Sequence, residues 1–185
     1  MQVKGTAVIP MPAFVKATFG EPGLQRWLGA LEPEARALFQ GTVMAGAWYD
    51  FAKYAVDPTL RICDTFYGGS VQGAFELGRF SADYALRGIY KVFVRLGSPE
   101  FTIKQGSGIL PKYYDPSKII VPEVGSGRAV MQITEFPEMH EVVEQRIAGW
   151  MTRALELSGA KEGRVAITST LRKKQPCTEF VLTWR

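Results

Sequence analysis

An α+β domain, helical in its N-terminal half and completed by a four-stranded antiparallel sheet, is predicted from three observations. Helical apolar periods fill the first two-thirds of the chain, two strand pairs rich in β-branched residues fill the last third, and one long amphipathic helix lies between those pairs. In a hairpin–helix–hairpin order, the helix can pack on one face of a single sheet and bury every apolar stripe at once. The chain has 185 residues, the size of one domain at about 100–200 residues each. We therefore expect a single domain over 1–185, with a helical layer at about 10–114 and the sheet with its helix at about 117–185.

Each element has a local reason. Pro12 to Phe19 is amphipathic and stops at Gly20, and Leu24, Trp27, Leu28 and Leu31 then form an i, i+3, i+4, i+7 stripe. Pro33 suits the first turn of a helix carrying Ala37, Leu38 and Phe39. From Trp48 the apolar positions 51, 52, 55, 62, 63 and 66 share a face, so a long helix interrupted at Pro58 is expected. Gly68-Gly69-Ser70 ends it, and a small-residue stripe of Ala74, Gly78, Ala82 and Ala85 follows, continued by Val92, Phe93 and Leu96. Ser98-Pro99 starts another helix, expected to reach about Tyr114 although Gly106 and Gly108 weaken it.

The strands are expected at Lys118–Val124 and Arg128–Phe136 around a Gly-Ser-Gly turn, then at Arg164–Leu171 and Thr178–Trp184. Pro122 lacks a donor and places the first of them at a sheet edge. Met139–Ser158 is the clearest helix, with Val143, Ile147, Trp150, Met151, Ala154 and Leu157 on its inner face and Gly159 as its stop.

Composition excludes several classes of function. The balance of 22 basic and 18 acidic residues leaves +4, with the basic residues scattered except at Arg172-Lys173-Lys174, so no nucleic-acid partner is expected. No apolar run reaches the roughly 18 residues of a membrane span. Cys63 and Cys177 are distant and stand in no metal-ligand spacing, which reads as reduced thiols in a cytoplasmic protein without a metal site. Catalytic signatures are equally sparse. There is no G-x-S-x-G elbow, the Gly-Ser-Gly pairs at 106–108 and 125–127 are too short for a phosphate loop, and the single histidine is His140. His140 and Glu144 form an i, i+4 pair expected on the solvated face of the last helix. No enzyme activity is expected, and no cofactor.

Three short motifs in a fixed order carry a resemblance. Phe75-Glu76-Leu77 runs into Gly78-Arg79-Phe80-Ser81-Ala82-Asp83-Tyr84; the segment from Arg146 to Leu157 runs toward Val165-Ala166-Ile167; and Lys4-Gly5-Thr6 stands at the start. Over about residues 3 to 184 the chain resembles the superfamily joining haem-nitric-oxide-binding (H-NOX) domains, 4-vinyl-reductase-type domains and Bet-type subunits of the TRAPP tethering complex. Within it the chain looks closest to haem-less bacterial paralogues of a myxobacterial type. The resemblance implies a helix packed on an antiparallel sheet and an internal apolar cavity, which in relatives holds haem, a small aromatic or an acyl chain. It also implies pairing of two copies, or of paralogues, through the helical layer.

The haem branch places its iron-binding histidine on a helix matching roughly Leu96–Lys104, where this chain has none. Its Tyr-x-Ser-x-Arg motif is likewise replaced by Phe136-Pro137-Glu138-Met139-His140-Glu141. Cys63 lies where the TRAPP branch can carry an acylated cysteine, although a buried structural thiol is the expected role.

The expected function is a non-enzymatic sensory domain that encloses a small apolar ligand and signals through a protein surface; the alternative is a ligand-free dimeric scaffold. The aromatic residues Trp48, Phe51, Phe66, Phe75, Phe80 and Phe101 are the candidate pocket lining. The candidate partner surfaces are the close-packing stripe Gly78, Ala82 and Ala85 and the basic tip Arg172, Lys173 and Lys174.

Overall fold

The computed structural model describes residues 1–86, 98–106 and 108–185. Strand β1 (Gln2–Lys4) leads through a short α1 (Gly5–Val8) into α2 (Pro10–Ala30), which Gly20 breaks at φ 71°, ψ −175°. That break is where the sequence places the boundary between its first two helices. Helix α3 (Pro33–Gln40) starts at Pro33 as expected.

Trp48 does not start a helix. It lies in β2 (Trp48–Asp50), which pairs with β1 in the register Val3↔Tyr49, while β1 pairs on its other edge with β3 (Tyr114–Asp115). These three short strands form a sheet that local periodicity does not announce. After β2 comes one π-helical stretch (Ala52–Val56) and then α4 (Asp57–Tyr67), so the proline at 58 sits in a first helical turn. Helix α5 (Gln72–Leu86) follows Gly68, which is left-handed at φ 59°. The expected continuation through Val92, Phe93 and Leu96 lies outside the described residues. Helix α6 (Pro99–Gly106) is shorter than expected, ending at the first of the two glycines, and a 3-10 turn at Leu110–Lys112 leads into β3.

The C-terminal third follows the predicted plan. Strands β4 (Lys118–Gly125) and β5 (Arg128–Glu135), helix α7 (Glu141–Leu157), and strands β6 (Arg164–Ser169) and β7 (Thr178–Thr183) form an antiparallel sheet in the order β4-β5-β7-β6 with its helix. β4 is an edge strand, and its pairing with β5 shifts register between Ile120 and Glu123, on either side of the donor-less Pro122. Phe180 and Leu182 of β7 are buried in alternation, whereas in β5 Val130 is buried along with Ala129, Met131 and Ile133.

Helix α7 is packed between the sheet and α5. Its contact with α5 depends on two glycines. A Cβ on Gly78 would stand 2.0 Å from the Arg146 carbonyl oxygen, and one on Gly149 would stand 2.0 Å from that of Phe75. The helices approach until backbone meets backbone, which no other residue at either position allows. Outside the crossing, Arg79 donates two hydrogen bonds to Glu156, at 2.7 and 3.0 Å, and Arg153 bridges Glu156 and Asp83 at 2.8 and 2.9 Å. The two longer motifs that carry the family resemblance are therefore the two sides of one helix crossing.

Candidate functional site: a cavity with a buried arginine

A cavity of about 460 Å³ lies where α7 meets the sheet and the N-terminal helices, within the ~300–1,000 Å³ usual for small-molecule sites. Ile147, Trp150, Met151 and Leu155 of α7 form one wall, facing Ile119, Met131 and Leu182 of the sheet. Ile9 and Pro10 at the α1–α2 junction, Ala85 of α5 and Ile103 of α6 complete a mainly apolar lining. Strands β4, β5 and β7 and helix α7 thus contribute through inward positions, whereas β6 contributes none.

A few polar groups interrupt that lining. The Ser81 hydroxyl is satisfied, donating to the Leu77 carbonyl at 2.7 Å. Among the described residues the buried Thr102 Oγ1 has no hydrogen-bond partner. Arg146, on the α7 wall, is 5% exposed and donates through Nη2 to the Ala7 carbonyl. No ion pair to Arg146 exists among the described residues, and positions 87–97 and 107 contain no Asp or Glu. Burial pushes its guanidinium below the ordinary arginine range, with Tyr114 acting weakly in the opposite sense.

The aromatic candidates lie elsewhere, and none is among the residues lining this cavity. Phe51 is buried against Tyr114 and Phe136, at 6.0 and 5.4 Å between ring centroids, and Phe66 is stacked on Phe19 at 4.0 Å. Phe80 meets Phe14 edge-on at 5.6 Å, and Phe75 is half-buried where α5 meets Gly149. Trp48 and Phe101 are exposed. Ring–ring packing takes Phe51, Phe66 and Phe80, and the aromatic residues that do line the cavity are Tyr84, Tyr113, Tyr114 and Trp150.

The small-residue stripe is likewise divided. Gly78 and Ala82 are buried against α7, where Ala82 packs with Ala154, Trp150 and Leu157, whereas Ala85 lines the cavity. All three residues of the basic tip are exposed, and Arg172 reaches back to Glu144 through Nε.

The His140–Glu144 pair is not a solvated one. Glu144 is 1% exposed, accepts from the Thr178 hydroxyl at 3.0 Å and Arg172 Nε at 2.8 Å, and also accepts from the Thr170 hydroxyl. His140 caps α7, its Nδ1 accepting from the Val142 amide at 3.3 Å. Cys63 is buried between α4 and α5, 3.2 Å from where a Gly73 Cβ would stand, and burial raises its thiol pKa.

No protein-family model matches the chain, and neither does any curated protein. Solved structures do. An H-NOX protein from S. oneidensis in the Fe(II)NO ligation state is similar over 98% of this chain and 99% of that one, with TM-score 0.75 and 9% identity. This chain has the H-NOX fold. The unliganded Fe(II) H-NOX protein from K. algicida agrees at TM-score 0.72 and 10% identity, over 98% and 96% of the two chains. The IWP-051-bound H-NOX from Shewanella woodyi agrees at 0.70 and 10%, over 97% and 93%.

The H-NOX fold raises the question of haem, and the donor set answers it for one mode of binding. His140 is the sole histidine of the sequence and is used in the cap of α7 outside the cavity lining, so a histidine–iron bond there has no donor. The residues present do not fit a histidine-held haem. No cluster of His, Cys, Asp and Glu that could hold a metal ion occurs among the described residues.

Sequence reasoning missed Arg146 and Thr102. A signal for Arg146 was present, because it lies three residues after Val143 and four before Trp150, on the inward period of α7. A charge on that stripe must be paired or face a cavity. Thr102 gives no such sign, since threonine is unremarkable on either face of a short helix.

Proposed function

We propose that this H-NOX-fold chain is a non-enzymatic, haem-less binding domain that encloses a small, mainly apolar ligand in the cavity beside α7. The observation that carries this reading is the 460 Å³ cavity itself, apolar in its walls and built from the inward faces of α6, α7 and the sheet. Packed interiors do not leave such volumes without a use, because each missing contact lowers stability. Ligand contact with α6 and α7 together would bias the packing of one against the other, and a protein partner that reads that bias completes a sensor. A cytoplasmic setting is supported by the two unpaired cysteines, and no described helix is long and apolar enough to cross a membrane. The scaffold alternative would need a partner face other than Gly78 and Ala82, which the chain uses within itself.

The test is a titration with N-phenyl-1-naphthylamine, a neutral dye that brightens in apolar surroundings. Saturable enhancement with one dye per chain is expected, reduced at least tenfold by Ala85→Phe, which fills the cavity from α5. No saturable enhancement, or equal enhancement in a folded Ala85→Phe chain, would contradict the reading.

A further inference from the structure

We propose that the ligand of this cavity is an amphiphile with a single carboxylate, and that Arg146 is the counter-charge that receives it. The inference rests on the binding reading above and adds the chemical class of the ligand.

A guanidinium has five N–H donors and no acceptor, so a buried arginine needs several oxygens around it. Arg146 has the Ala7 carbonyl on one side and the cavity on the other. The described residues offer it no carboxylate, and the remaining stretches of sequence contain none to offer. A second polar group is short of a partner in the same lining, the buried Thr102 hydroxyl of α6. Among the described residues, the mainly apolar lining therefore holds one cation without a counter-charge and one hydroxyl without a partner.

A carboxylate suits these two groups, because it accepts two parallel N–H bonds from a guanidinium and keeps lone pairs for a hydroxyl. A neutral ligand of the same body would leave the charge uncompensated. A dianion would exceed the single positive charge. The apolar part of the lining, which includes Ile103, Ile147, Met151 and Leu155, suits an alkyl chain or a small ring.

The experiment is isothermal titration calorimetry of the full chain with saturated carboxylates from hexanoate to dodecanoate, each paired with the alcohol of the same length. The best carboxylate is expected to bind at least tenfold more tightly than its alcohol. Arg146→Gln should abolish that preference while leaving the alcohol affinity within threefold, and Thr102→Val should weaken the carboxylate alone by about threefold. The wild-type comparison needs no variant to fold. Equal binding of acid and alcohol overturns the carboxylate assignment and leaves the binding reading standing. If neither series binds and the neutral dye stays dark as well, both fall. If the dye binds and neither series does, the carboxylate assignment falls alone.

Discussion

Helix α7 carries two buried charges two residues apart, and they are treated in opposite ways. Glu144 points toward the β6–β7 hairpin and is saturated by two threonine hydroxyls and the Arg172 guanidinium. Arg146 lines the cavity and, among the described residues, has one backbone carbonyl as its hydrogen-bond partner. A buried charge with a full set of partners holds structure together, here by fastening the tip of the last hairpin to the start of the helix. A buried charge that, among the described residues, has one hydrogen-bond partner and a chamber in front of it costs stability that this single bond does not offset. The contrast separates a structural ion pair from a receptor group on the same helix.

The comparison breaks most easily at its structural end. Glu144→Ala strands Arg172 and two hydroxyls and should lower the unfolding free energy by about 3 kcal/mol in urea titrations. A loss below about 1 kcal/mol would mean that this network does not fasten the hairpin. Gly149→Ala comes next, because the new methyl meets the Phe75 carbonyl at the crossing that holds α7 in place for both regions. A loss of about 2 kcal/mol is expected, read as a lower melting temperature. Unchanged melting would show that the helices separate freely.

At the receptor end the sign reverses. Arg146→Met should raise the unfolding free energy by about 1 kcal/mol, since it removes a lone buried charge and keeps the length of the side chain. Destabilisation in ligand-free protein would show that Arg146 has structural partners after all. The smallest effect is acid sensitivity. Arg79, and then Arg153, hold the Glu156 carboxyl below the usual carboxylate range. Its contribution is therefore present above that range and fades as pH falls through the lowered folded value. Glu156→Gln should cost up to about 1 kcal/mol at neutral pH and flatten this acid-side loss, because the pair is partly exposed. An unchanged pH profile would remove Glu156 from the account.

Much of this architecture is legible in the residues. The pattern of the C-terminal third places all four strands and α7, because each runs long enough for its period to show. The sheet of β1, β2 and β3 is not legible, as its strands are two or three residues long and pair across distances in sequence that no window spans. Trp48 looks helical only because the apolar spacing of α4 extends back to it. The site is less legible than the fold. Aromatic excess marks a core and does not say which rings pair with each other, and here Phe19–Phe66 and Phe51–Phe136 take rings that a pocket could have used. The informative residue is the one that breaks a stripe, Arg146 among Val143, Ile147 and Trp150.

The most direct measurement is native mass spectrometry of the full chain with added decanoate, set against the same chain carrying Arg146→Met. One decanoate retained per wild-type chain, lost on denaturation and absent from the variant, is the predicted result. A bare wild-type mass, or equal retention by both chains, would contradict the role assigned to the cavity and its arginine.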